Sequence, residues 1–278
     1  EKRFGSISKT GQIYFLEQDI TQPIALDKKV DYVIHAASNA DPKSYAVYPA
    51  ETILTNIIGA RNVLEYCKQY GAKVLLLSTF EVYGFRNQDN YAEEDFGYID
   101  NIRLRACYPE SKRSAELLFR SFADEYGVDC SIARLSSIYG PTMLRNDSKA
   151  HAQFLRNAIQ KENIVLKSEG KQRRTYCYVI DAVGGLLTVL FKGQTAEAYN
   201  VANRNSICSI SELANTIAQL SGLKVVYELP DDVEAKGFSS PQDCILETAK
   251  LEKLGWSGLY NLKDGLLETI EILKDWEL

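Results

Sequence analysis

The sequence predicts an α/β fold built on a doubly wound parallel sheet. Three runs, "DYVIHAA" at 31–37, "KVLLLST" at 73–79 and "DCSIARL" at 129–135, are continuously or nearly continuously apolar. Runs of that length suit strands buried on both faces. Long helical patterns separate them, and alternating strands and helices imply right-handed crossovers in one sheet.

Taken in order, Ile13-Tyr14-Phe15-Leu16 reads as a short strand closed by Asp19. The run at 31–37 ends in the small residues Ala36, Ala37 and Ser38, which would let a flat cofactor approach the backbone. Pro49 to Tyr70 places Ile53, Ile57, Val63, Leu64 and Cys67 at helical spacing and stops at Gly71, a C-cap signal. Tyr108 to Tyr126 repeats the pattern with Ala115, Leu117, Leu118, Phe122 and Ala123, and stops at Gly127. After Pro141 the pattern loosens. A helix is expected over 149–160, a strand over 174–179, a helix over 181–191 and a strand over 199–202. Ser209 and Glu212 have capping-box spacing at the start of another helix. A strand over 224–229 and two helices after Glu247 complete the chain, so residues from 141 onward form a smaller lobe leaning on the sheet.

Composition narrows the function. The 278 residues suit one large domain, or one domain with a smaller lobe, and a net charge of −5 argues against a general nucleic-acid binder. No apolar run is long enough to span a bilayer, and the first residues do not resemble a signal peptide. Cys67, Cys107, Cys130, Cys177, Cys208 and Cys244 include no C-x-x-C pair, so buried free thiols in a reducing cytoplasm are expected. With two histidines, a His-rich metal site is not expected.

Several residues carry chemistry as well as structure. Tyr108 and Lys112 stand four apart and share a helix face. They are either solvated residues of an amphipathic helix or an acid/base pair. In the second case the ammonium lowers the phenol's pKa, and the tyrosine takes a proton from a hydroxyl as hydride leaves the same carbon. Ser78-Thr79-Phe80-Glu81 closes a buried strand, at the end where such sheets bind ligands. Thr79 can hydrogen-bond a reacting oxygen and Glu81 can act as a base, or the hydroxyls simply satisfy backbone at a strand end. His35 reads as a packed strand-end histidine. Arg173-Arg174 reads equally as a fork for a diphosphate or as a solvated pair at a strand start.

These pieces occur in one order: "HAAS", "TNIIGARNVLE", "LLLSTFEVYG", "YPESKRSAE", "ARLSSIYGP", "RRTYCYVIDAV" and "LEKLGW". From about Ile13 to the end, the chain resembles the extended short-chain dehydrogenase/reductases, in their nucleotide-sugar epimerase/dehydratase branch. The resemblance implies a Rossmann-like sheet, bound NAD and a nucleoside-diphosphate sugar in the smaller lobe. It assigns Tyr108 as catalytic base and Lys112 as its helper, which also holds the nicotinamide ribose, with Thr79 completing the triad and Glu81 as an auxiliary base. Asp19 and Ile20 would contact the adenine; Ala36, Ala37, Asn56 and Ser78 would line the cofactor; Phe80, Ser137 and Arg174 would lie at the substrate. It divides the chain into an NAD-binding unit, 1–140 with returning segments near 174–202, and a mainly substrate-binding lobe, 141–278. A homodimer through the helices 49–70 and 108–126 follows from the same resemblance.

Within the branch, the wording is nearest to sugar 4,6-dehydratases and UDP-glucuronate decarboxylases. All of these act through transient oxidation at C4. A 4-epimerase, a C4 dehydrogenase, or a non-catalytic relative binding a nucleotide sugar are the other readings. The chain departs from the pattern in three ways. Phe80 replaces the dehydratases' aspartate acid and the decarboxylases' serine, Ser137 replaces a common asparagine, and no G-x-G-x-x-G turn occurs in the first fifty residues. The first strand, glycine turn and second strand of the family are therefore expected to be missing from an N-terminally truncated chain, and NAD affinity to be poor without the helix N-terminus that receives the pyrophosphate.

Overall fold

A computed structural model describes residues 13–237 and 242–275. In chain order the elements are β1 (Tyr32–His35), α1 (Pro42–Val47), α2 (Pro49–Tyr70), β2 (Lys73–Thr79), β3 (Asn90–Tyr91), α3 (Cys107–Tyr126), β4 (Cys130–Leu135), β5 (Ser137–Tyr139), α4 (Ala150–Gln160), β6 (Ile164–Leu166), β7 (Arg173–Tyr178), α5 (Val179–Lys192), β8 (Ala198–Val201), β9 (Ile207–Ser209), α6 (Ile210–Ser221), β10 (Val225–Tyr227), α7 (Asp232–Gly237), β11 (Ile245–Leu246), α8 (Ala249–Glu252) and α9 (Leu262–Asp275). A 3-10 turn, Phe80–Tyr83, follows β2 directly, and another, Leu104–Ala106, precedes α3.

The main sheet runs β1-β2-β4-β8, every pair parallel. Its centre is covered on both faces, as the apolar runs predict. Val74 and Leu76 of β2 pack with Val63, Leu64, Phe119 and Ile132 beneath α2 and α3. Leu75 and Leu77 point the other way, into a cluster with Val189, Leu190, Val201 and Trp256 beneath α5 and α8. Helices α2 and α3 end where the sequence places their stops, with Gly71 and Gly127 left-handed at φ 68° and 67°. Ser209 and Glu212 form the capping box that opens α6.

The later strands are short. β5-β7-β9 forms a second sheet, β5 parallel and β9 antiparallel to β7, while β6 pairs with β10 and β3 with β11. Their core gathers Phe154, Leu155, Ile164, Tyr176, Tyr178, Leu213, Ile217, Leu266 and Ile270. β7 belongs to this second sheet, and α5, which follows it at once, returns to pack on the main one.

One expected strand does not form. Ile13 to Leu16 runs as irregular backbone, and Tyr14, Phe15 and Leu16 are exposed. A strand is stable only with a neighbour to take its hydrogen bonds, and among the described residues β1 is the edge of the sheet. That edge is apolar: Tyr32 and Ile34 are exposed beside a row of exposed α5 residues, Ile180, Val183, Leu187 and Phe191, with the Tyr32 and Phe191 rings 5.2 Å apart.

All six cysteines are buried and free. No helix among the described residues is long and apolar enough to cross a membrane.

Candidate active site

The strand register lines up the site. His35 of β1 lies beside Leu76, and Thr79 of β2 beside Leu135 of β4, so Ala36, Ala37, Thr79 and Ser136 share the C-terminal edge of the sheet. Thr79 caps the 3-10 turn, accepting from the Glu81 N–H at 3.3 Å, and so aims Phe80 and Glu81 off the strand end. Gly84 closes this turn at φ +65°, and a Cβ there would meet the Tyr98 carbonyl oxygen at 2.6 Å. Only glycine satisfies both demands.

Helix α3 packs its first turns against this edge. Tyr108, Ser111 and Lys112 are buried, and the Lys112 ammonium donates to the Leu77 carbonyl at 2.9 Å. Thr79 hydrogen-bonds the Tyr108 phenol. Thr79, Tyr108 and Lys112 therefore lie together at this edge. The electrostatics differ from expectation. Burial raises the Tyr108 pKa well above its usual value and Glu81 adds to that, against smaller opposing effects of Thr79 and Arg105. Burial also pulls Lys112 down to about 8, with Glu116 acting the other way. The phenol is held protonated because desolvation outweighs the cations nearby, and the Lys112 ammonium is turned to a backbone carbonyl.

Glu81 is not a free carboxylate. Arg105 donates to its Oε2 at 2.6 Å and to the Tyr45 hydroxyl at 3.2 Å, with its guanidinium over the Tyr45 ring at 4.3 Å. Tyr45 in turn stacks on Tyr108, ring centroids 5.1 Å apart. Phe80 packs against Tyr83, Tyr91, Cys244 and Leu246, beneath the Arg174 guanidinium at 5.8 Å. Arg174 is buried and donates to the Arg173 and Gln242 carbonyls, so it is a built-in member of β7 rather than a solvated arginine. Ser137 sits half-buried on β5 opposite Tyr176, two residues beyond the Leu135 that flanks Thr79.

The residues expected at the cofactor divide. Ala36 is exposed and Ala37 half-buried at the strand edge. Asn56 is buried and donates to Ser111 at 2.8 Å, while its Oδ1 lacks a partner, as does the Oγ of Ser38 beyond β1. The Ser78 hydroxyl donates to Glu116 Oε1 at 2.5 Å, tying β2 to helix α3. Asp19 and Ile20 form a turn over α2: the Asp19 carboxylate accepts from the Thr21 N–H at 2.9 Å, and Ile20 lies where a Cβ on Gly59 would sit 3.0 Å away. His35 is packed, stacked near Phe119, as expected for a strand-end histidine.

Orphaned buried acceptors, small residues at the strand edge and a buried lysine beside a tyrosine fit the ribose–nicotinamide half of a dinucleotide. A glycine-rich pyrophosphate turn is absent from the described residues.

Sequence reasoning missed Tyr45, Arg105, Glu116 and Arg134. For two of these a signal existed: Arg105, Tyr108, Lys112 and Glu116 stand at i, i+3, i+7 and i+11, one helical stripe. Tyr45 and Arg134 join only through tertiary packing.

A doubly wound sheet with a Thr-Tyr-Lys cluster at the carboxyl ends of its strands defines a nucleotide-dependent α/β enzyme. The match to the NAD dependent epimerase/dehydratase family covers residues 3–202, and the chain belongs to that family of NAD-dependent enzymes. It is 34% identical over 255 residues to UDP-glucuronic acid decarboxylase 5 of Arabidopsis thaliana, covering 90% of this chain and 72% of that protein. It is 34% identical over 263 residues to UDP-glucuronic acid decarboxylase 1 of Xenopus tropicalis, covering 93% of this chain and 60% of that one. Among solved structures, UDP-glucose 4-epimerase of Thermotoga maritima with UDP-glucose superposes with a TM-score of 0.78 at 26% identity, over 88% of this chain and 78% of the other. The dTDP-glucose 4,6-dehydratase of Bacillus anthracis in complex with NAD shares the fold, with a TM-score of 0.83 at 22% identity over 99% and 84% of the chains.

Proposed function

We propose that the protein is a UDP-glucuronate decarboxylase-type enzyme acting through transient oxidation of the sugar at C4. The observation that carries this reading is the Glu81–Arg105 ion pair beside Tyr108, with Phe80 where a dehydratase needs an acid. A phenyl ring donates no proton, so loss of water from C6 has no donor at this position. Loss of CO₂ itself needs none there: once C4 is a ketone, the C6 carboxylate is part of a β-keto acid, the C5–C6 electron pair moves into the C4 carbonyl to give a C4–C5 enolate, and C5 then takes a proton from water. The relatives that are 34% identical carry the same activity in their names.

A bound NAD would supply the hydride acceptor for C4 oxidation and the hydride donor for its reversal. Tyr108 exchanges the proton on the C4 oxygen, and Thr79 shares it through their hydrogen bond. Lys112, Asn56, Ala36 and Ala37 would hold that cofactor. A phenol this deeply buried gives up its proton only when positive charge is brought beside it. Arg105 is suited to stabilise the oxygen that gains charge as CO₂ leaves. Residues 1–140 with 174–202 serve the cofactor and 141–278 mainly the substrate, with Arg174 and Ser137 toward the nucleotide sugar. Exposed Leu54 of α2 and Leu117 of α3 support a homodimer through these helices, and six free thiols support a cytoplasmic setting.

Incubation of the protein with NAD and UDP-glucuronate, followed by product analysis, tests the reading. CO₂ and a UDP-pentose are expected, and Tyr108→Phe should slow the reaction by about 10²–10⁴-fold. Inversion at C4 without CO₂, net NADH, or an unimpaired Tyr108→Phe variant would each sink it.

A further inference from the structure

Helix α3 carries a buried charge that the scheme above does not use. Glu116 is 4% exposed and accepts from Ser78 at 2.5 Å and from Arg134 Nε and Nη2 at 3.0 and 2.7 Å. Arg134 goes on to the Glu93 carbonyl at 2.7 Å and lies 4.8 Å over the Tyr83 ring, whose hydroxyl donates to Asn200 at 2.6 Å. One polar network thus ties α3 to β2, β4 and β8.

A buried ion pair is a weak device for stability alone, because desolvation offsets most of its attraction and apolar residues would seat the helix as well. The placement points to another purpose. Glu116 is one helical turn beyond Lys112 on the same face. Its anchor, Ser78, stands between Leu77, whose carbonyl receives Lys112, and Thr79, which bonds Tyr108.

We propose that Glu116 is a positioning residue for the reaction: braced by Arg134 and Ser78, its carboxylate, one turn from Lys112 on the same face, registers Tyr108 and the Lys112 ammonium on the Leu77–Thr79 edge. This rests on Tyr108 and Lys112 being the reacting pair. Lys112 is otherwise faced by His35 from β1, kept neutral by burial, and by Tyr108 on its own helix. Arg134 of β4, with Tyr83 and the Glu93 carboxylate beyond it, faces Glu116.

The test is a lysine side-chain NMR titration, with the Lys112 signal assigned by Lys112→Arg. The parent should titrate near 8. Removing a carboxylate from beside an ammonium favours the neutral amine, so Glu116→Gln should lower the midpoint by about 1–3 units. Because Glu116→Gln strands Arg134, a Glu116→Met/Arg134→Met variant removes both charges without leaving either unpaired. Its midpoint should fall in the same direction by less, and Glu116→Asp should restore the parent value. In turnover with UDP-glucuronate, the alkaline limb of kcat should move to lower pH by the same amount with KM unchanged. An unmoved Lys112 midpoint in both charge-removing variants, or a kcat lost equally at every pH, overturns the proposal. The titration needs no turnover. A parent that converts no sugar, but whose Lys112 still shifts, defeats the reaction reading and leaves the electrostatic coupling standing.

Discussion

Replacing Arg105 with methionine isolates what holds Glu81 in place. The guanidinium and carboxylate are 2.6 Å apart with side-chain exposures of 13% and 17%, so water screens them only in part. At an effective dielectric near 20, attraction at that distance is about 6 kcal/mol. Desolvation offsets a large share of it, and breaking such a pair costs about 3 kcal/mol net, because Glu81 is left charged and unpaired. The contact to Tyr45 is lost as well. For a chain of this size that loss lowers Tm by about 6–10 °C. Differential scanning calorimetry of the parent, Arg105→Met and Arg105→Met/Glu81→Gln measures it, with the double variant expected to recover more than half the loss. An Arg105→Met melt within about 1 °C of the parent, or no recovery in the double variant, would refute the idea that Glu81 is held by this pairing.

Gly84→Ala should destabilise by about 1–3 kcal/mol, since its φ and the Tyr98 carbonyl both reject a Cβ, and should lower activity by displacing Glu81; urea unfolding and turnover check this together. Burial lowers both His35 and His151 to about 4, so the unfolded chain binds more protons than the native one between pH 6.5 and 4. Stability is thus complete above about 6.5 and falls by up to about 3 kcal/mol per histidine as pH drops toward 4, and His35→Gln should flatten that dependence in thermal melts. If α2 and α3 form a dimer interface, Leu117→Glu should shift the protein to a monomer in analytical ultracentrifugation while leaving the fold intact by circular dichroism.

The main sheet was legible because its strands are buried on two faces and its helices carry strong stops. β2 and the ends at Gly71 and Gly127 agree with the sequence to the residue. The smaller strands were harder, since three-residue pieces such as β5 and β6 have no periodicity to read. Ile13 to Leu16 looked like a strand from its side chains alone, but strand formation depends on a partner the sequence pattern does not reveal. At the site, spacing found Tyr108 and Lys112 and placed Thr79 near them. It misjudged the phenol's acidity because burial, the larger effect, is a tertiary property. The direction of the Ser78 hydroxyl was hidden for a related reason: a hydroxyl at a strand end points toward either face, and Glu116, on a different element, decides which.

The bare margin of β1 has a practical side. Among the described residues, the four residues of β1 pair only with β2, and their other side lies open beside Tyr32, Ile34 and the apolar row of α5. Such a margin accepts any extended polypeptide that brings matching hydrogen bonds and apolar side chains. In concentrated solution, two copies of this chain meeting edge to edge would extend each other's sheets. Turbidity that grows with protein concentration and is suppressed by Ile34→Lys would trace loss of material to this one strand.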